Sequence, residues 1–311
     1  MMSRPARKHS TSATKKRPNK SAPVRQMPRI GFHAPIAGGL ANALLKAREL
    51  HCGTVQLFSR NPRGWTARPL TGEEVERFRA IRAKTGITPV VVHSCYLVNL
   101  AAADEAVREK SVAAFREEIE RCLRIGADYL VVHPGSARGV CEADGIQTCA
   151  ASLRAACAGL ELGRFRILLE NTAGQGACIG HRFEHLRDIM AACPDLHLGV
   201  CFDTAHAFAA GYDISNEDGL AATIEALDKN VGTQNVRAVH FNDSKAAYNS
   251  RVDRHWHLGL GQIGAAALGR IARHEKLSHA AFLLETPQDE PGDDARNLDV
   301  LRSYLDSAGA G

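Results

Sequence analysis

No apolar run in this 311-residue chain approaches the ~18 residues that a membrane-spanning helix needs, and the N-terminus has no signal-peptide h-region. A chain with no membrane partner is expected. The nine cysteines are odd in number and form no CxxC pair, which argues against a disulfide framework and a thiolate zinc finger. They favour a reducing compartment. Acid is missing from the first 29 residues, which hold nine Lys or Arg. The rest of the chain then carries 30 basic and 34 acidic residues, so a body of −4 lies inside a total of +5. Histidine, by contrast, is abundant at fourteen residues.

Residues 1–28 are rich in Lys, Arg, Ser, Thr and Pro and nearly free of large apolar groups. Such a segment cannot bury enough surface to offset its ordering entropy, so a disordered basic N-terminal tail is expected, followed by a catalytic domain over 29–311. The tail reads either as a solubilising leader or as an electrostatic tether to nucleic acid, since Lys and Arg displace counterions from phosphates. Its KKRPNK cluster also looks like a nuclear import signal, and its acid-poor composition like a transit peptide.

From Arg29 the chain alternates. Short apolar runs at 30–33, 54–58, 89–93, 128–133, 166–170, 198–203, 236–241 and 281–285 read as buried strands. Segments of helical period lie between them, among them Asp104–Ile125, Gly145–Leu162 and Arg182–Cys193. Eight strand–helix units predict an α/β fold with a parallel sheet closed into a single (β/α)8 TIM barrel. The run at 54–58 is the least marked of the eight.

The ends of those runs carry the chemistry. They close on His93, His133, Glu170, Asp203 with His206, His240 and Glu285, and SRVDRHWH adds Asp253 and His255. In a barrel these ends share the C-terminal face, where active sites sit. Five imidazoles and four carboxylates exceed the three or four ligands of one metal ion, and four unneutralised carboxylates raise one another's pKa. Two or three divalent cations ~3.5–4 Å apart resolve that conflict and suit phosphodiester displacement.

HPGS (133–136), ENTAGQG (170–176), CFDTAHAFAAGYD (201–213), HFNDSK (240–245) and SRVDRHxxLGxGxIG (250–264) together resemble the endonuclease IV family. These are zinc-dependent abasic-site endonucleases of base excision repair, built on a TIM barrel. The resemblance implies three Zn2+ ions, with Mn2+ an alternative at some positions. It places His93, His133 and Glu170 on the first ion, and Glu170, Asp203, His240 and Glu285 on the second. His206, Asp253 and His255 take the third, and Glu170 becomes the metal-bridging residue and candidate base. The implied reaction is hydrolysis of the phosphodiester 5′ to an abasic site in duplex DNA, with trimming of blocked 3′ ends. Arg63, Tyr96 and Leu97, in SRNPRGW and SCYLVN, match loops expected to enter the minor groove, although Tyr96 and Leu97 also suit ordinary loop packing. Arg251 and Arg254 are candidate phosphate contacts or a solvated face. Gly64, Leu260, Pro35 and Cys95 depart from common choices in the family. A monomer in a bacterial-type cytoplasm, associated with the nucleoid, is expected, with nuclear import or organelle transit left open by the tail.

His33 ends the first strand and reads either as an orienting residue or as a core histidine. His181, His185, His197, His274 and His279 read as structural. A metal-dependent sugar isomerase or epimerase shares the barrel, but needs one or two ions and leaves His206, Asp253 and His255 without a purpose. A DNA-binding protein with purely structural zinc conflicts with the absence of cysteine ligands.

Overall fold

Side chains of a strand alternate between its two faces, so a strand buried on both sides serves two cores at once. The computed structural model, which describes Met1, Met2 and residues 27–306, has that arrangement. The strands are β1 (Arg29–Phe32), β2 (Val55–Phe58), β3 (Val90–His93), β4 (Tyr129–Val132) and β5 (Arg166–Glu170). They continue as β6 (Gly199–Asp203), β7 (Val236–His240), a small hairpin of β8 (Asp243–Ser244) and β9 (His255–Trp256), and β10 (Ala281–Leu284). All eight predicted strands are present, paired in parallel in the order β1-β10-β7-β6-β5-β4-β3-β2. The reading of 1–28 as a disordered tail falls largely on residues 3–26, outside the described residues.

Between β1 and β2 the barrel closes only by a seam. One parallel bridge joins His33 to Gln56, and the Ala34 N–H donates to the Gln56 carbonyl at 2.8 Å. A Cβ on Gly31 would lie 2.1 Å from the Thr54 carbonyl oxygen, so glycine is what lets the two backbones meet. The weakest strand in the sequence thus lies at the weakest join of the barrel.

Helices cover the outside: α1 (Ala41–Glu49), α2 (Gly72–Thr85), α3 (Glu105–Ile125), α4 (Glu142–Cys157), α5 (Phe183–Ala192), α7 (Glu217–Val231), α8 (Ala265–Ala272) and α9 (Asp293–Asp306), while the short α6 (Thr204–Ala210) follows β6 directly at the C-terminal face. Asp104 caps α3 by accepting the Val107 N–H, and Gly126 ends it in the left-handed region, close to the predicted bounds. The expectation for α4 needs correction. It starts at Glu142, not Gly145, because Cys141 Sγ caps it, and it stops at Cys157, short of the positive-φ Gly159. Gly145 lies inside the helix, where a Cβ would come within 2.4 Å of the Ala137 Cβ.

Two loops at the C-terminal face are tied down from α3. Arg60 and Glu118, each with 1% side-chain exposure, pair at 3.1 Å. Arg60 also donates to the Trp65 carbonyl and Glu117, while Glu118 accepts the Cys95 N–H at 3.0 Å. Burial pushes the Glu118 carboxyl up, against the pull of Arg60, to about 7. Arg60→Met is therefore expected to destabilise the fold by up to about 3–5 kcal/mol by stranding a buried carboxylate. Below pH about 7 the carboxyl takes up a proton and the loss is smaller, so the gap from wild type should widen as pH rises through that value. Urea unfolding of both proteins at two pH values measures it.

Candidate metal centre

Inside the barrel the two-residue period does the placing. Val91, Val131, Leu168, Cys201, Ala238 and Leu283 form a buried apolar cluster separate from the outer core. Two residues further along each strand stand His93, His133, Glu170, Asp203, His240 and Glu285. An apolar ring thus floors a ring of donors, and both follow from one alternation.

His206 and His255 reach the same place by other routes. Asp203 ends β6 and caps α6, its Oδ1 accepting the His206 N–H at 2.6 Å, which sets His206 in the first turn of the helix. His255 stands on the β8–β9 hairpin. That hairpin depends on buried Asp243, whose carboxylate accepts the N–H groups of Gly259, Gly261 and Ile263 at 2.9–3.0 Å and so organises the LGLGQIG turn. Asn171 and Asn242 steady Asp203: its N–H donates to Asn171 Oδ1 at 2.8 Å, and Asn242 Nδ2 donates to its Oδ2 at 2.9 Å. These contacts give the two asparagines in ENTAGQG and HFNDSK a physical purpose.

The donors fall into three adjoining groups, in each of which one ligand atom per residue lies within 4.8 Å of the others: His93, His133 and Glu170; Glu170, Asp203, His240 and Glu285; and Asp203, His206 and His255. Asp253 completes the last, its oxygens 3.1 Å from His206 Nε2 and 3.6 Å from His255 Nε2. Glu170 links the first two: Oε2 lies 3.2 Å from His93 and 3.1 Å from His133, and Oε1 lies 2.9 Å from His240 Nδ1. All nine predicted donors are thus brought together.

The electrostatics suit cations. Burial alone pushes the Glu170 carboxyl up, but the imidazoles of His240 and His133 outweigh it and hold it well below the carboxylate range. His206 and His255 supply a sharper test. Each turns Nδ1 to a backbone carbonyl, Asn171 at 2.9 Å and Glu285 at 3.3 Å, which leaves the two Nε2 atoms facing each other at 3.4 Å. Neutral imidazoles in that arrangement oppose two lone pairs, a conflict relieved by a cation between them. The residues present fit a divalent metal.

Above the donors opens a cavity of about 740 Å³, lined also by His33, Phe58, Arg63, Tyr96, Arg254 and Gln288. Tyr96 is 63% exposed at its rim, and its N–H donates to the Pro62 carbonyl at 3.0 Å, joining the two loops held by Arg60 and Glu118. Two further sequence candidates stand apart. Leu97 packs partly against the outer core, and Arg251 is not among the cavity-lining residues, its guanidinium lying near Gly174.

Sequence reasoning missed Gln56. It is fully buried, and it bridges His240 Nε2 at 2.8 Å to Glu285 Oε1 at 2.5 Å. The only signal was a polar residue in an otherwise apolar strand. His33, left without a role above, touches Glu285 Oε1 at 3.3 Å. Glu142, His181 and His185 form a separate group. There the His185 Nδ1 accepts the Gly180 N–H at 3.1 Å and Arg182 pairs with Glu142 at 2.8 Å, which is a satisfied structural cluster.

The sequence profile described as "Xylose isomerase-like TIM barrel" matches residues 44–304. A protein of Solibacter usitatus named "Probable endonuclease 4" is 48% identical over 282 residues, 90% of this chain and 97% of its own length. The "Endonuclease 4" of Thermus thermophilus is 44% identical over 284 residues, 91% of this chain and all of its own. A crystal structure of endonuclease IV from Thermus thermophilus superposes with a TM-score of 0.82 at 44% identity, covering 90% of this chain and all of that one. A D-tagatose 3-epimerase-like protein superposes with a TM-score of 0.68 at 20% identity, covering 90% of this chain and 97% of its own, a likeness of fold alone. On its identity to these relatives over nine-tenths of its length, the chain belongs to the endonuclease IV family, within the xylose isomerase-like TIM barrels.

Proposed function

We propose that this chain is a DNA-repair endonuclease that hydrolyses the phosphodiester 5′ to an abasic site in duplex DNA. The products are a 3′-hydroxyl and a 5′-deoxyribose phosphate, and blocked 3′ ends are trimmed by the same site. The observation that carries the reading is the gathering of nine donors into three adjoining groups under one open cavity. The relatives named endonuclease 4 point the same way.

Three zinc ions are the inferred occupants, with manganese at some positions. His93, His133 and Glu170 hold the first. Glu170, Asp203, His240 and Glu285 hold the second, and His206, Asp253 and His255 the third. Divalent ions bound there supply a nucleophile at neutral pH and neutralise charge on the phosphoryl group. The chain's own residues do the rest. Glu170, deprotonated beside its imidazoles, belongs to two donor groups and keeps them in register. Arg63 and Arg254 offer guanidinium forks to phosphate at the cavity wall. Tyr96 presents a ring at the rim that can fill the space left by an extruded nucleotide. An abasic sugar costs least to extrude, and that difference selects the lesion. Leu97, packed partly against the core, has a smaller part than Tyr96. The basic residues of the first 29 serve as a tether to the duplex.

A defined duplex with one abasic site tests the reading. The zinc-loaded wild type should incise it on the 5′ side, while Glu170→Gln and His255→Ala should lose most of the activity. An intact duplex after incubation with wild type sinks the proposal. Deleting residues 1–28 should flatten the dependence of log affinity on log salt, because fewer counterions are then released. An unchanged slope in a salt titration removes the tether.

A further inference from the structure

The four imidazoles His93, His206, His255 and His240 each point one nitrogen at the other donors and need a partner for the second. For three of them the partner is a backbone carbonyl: Ser94 for His93 at 2.8 Å, Asn171 for His206 and Glu285 for His255. A carbonyl only accepts, so it leaves the imidazole no choice of tautomer. His240 differs, because its partner is the side-chain amide of Gln56, which can donate from one end and accept at the other.

What fixes the amide is Glu285. Its Oε1 lies 2.5 Å from Gln56 Nε2, and a deprotonated carboxylate only accepts, so the NH2 end must face it. The same Nε2 lies 3.0 Å from His33 Nδ1. The amide oxygen is then left for His240, 2.8 Å from Nε2, which must carry the hydrogen. Its lone pair therefore sits on Nδ1, 2.9 Å from Glu170 Oε1 and 3.2 Å from Glu285 Oε2. One side chain, fully buried in β2, selects both the nitrogen of His240 and the oxygen of Glu285 that face the quartet.

We propose that Gln56 is a positioning residue for the ion held by Glu170, Asp203, His240 and Glu285, acting through the tautomer of His240 and the rotation of Glu285. The proposal rests on the reading above that zinc occupies this quartet. Its location at the β1–β2 seam explains why a polar group is tolerated there: the amide faces the donors, not the outer core.

Zinc alone is the probe. Gln56→Leu keeps approximate bulk and removes both contacts, and is expected to weaken zinc binding by about 10–100-fold in competition with a chelator. Gln56→Glu keeps an acceptor for His240 but sets a carboxylate oxygen against Glu285 Oε1 in place of the NH2 donor, so it is expected to hold the His240 hydrogen on Nε2 without recovering the zinc affinity. Long-range ¹H–¹⁵N spectra of the zinc-loaded, histidine-labelled wild type should show His240 with its hydrogen on Nε2. A residue with a merely structural role would lower thermal stability in Gln56→Leu and leave zinc affinity where it was, and that result overturns the assignment. So does a His240 hydrogen on Nδ1. A wild type that binds zinc but fails to incise abasic DNA counts against the proposed function and leaves this assignment standing, whereas a wild type that takes up no zinc removes both.

Discussion

Two carboxylates, Glu170 and Asp203, are completely buried at the top of a barrel whose floor is apolar. A buried charge is tolerated only beside compensating charge, and the rest of the site answers that constraint. The imidazoles of His93, His133, His206 and His240 crowd around Glu170, and no other buried carboxylate in the described chain is served by so many. With both imidazoles neutral, the Nε2 lone pairs of His206 and His255 oppose each other across 3.4 Å. Cations resolve both problems at once.

The same constraint explains why so much of the site could be read from the sequence. Each ligand strand presents a polar residue at or just past its end, two positions beyond an inward-facing Val, Leu, Cys or Ala. That pattern is local, so six of the nine donors were legible from strand ends, and barrel closure alone brings them together. Asp253 and His255 were legible only as a pair. Their approach depends on a hairpin with two residues in each strand, held by Asp243, which is too short to carry any periodicity.

What escaped has physical reasons as well. Gln56 matters through contacts to β7 and to the residue after β10, across a seam that no pattern within β2 reports. The helical period placed the start of α4 at Gly145, whereas that glycine lies inside the helix, where its missing Cβ makes room for Ala137. The family resemblance put Tyr96 and Leu97 forward together, with ordinary loop packing open for both; Tyr96 is exposed at the rim and Leu97 packs partly against the core. Loop residues carry no period from which such a difference could be inferred.

The barrel itself does not separate nuclease from epimerase, since both superpose on this chain over about nine-tenths of its length. The donor inventory is what distinguishes a site for one or two ions from a site for three. Anomalous diffraction at the zinc edge from crystals of the zinc-loaded protein counts them most directly. Three peaks are predicted, one within each donor group, with Glu170 shared by two. A single peak, or density away from Glu170, would contradict the account.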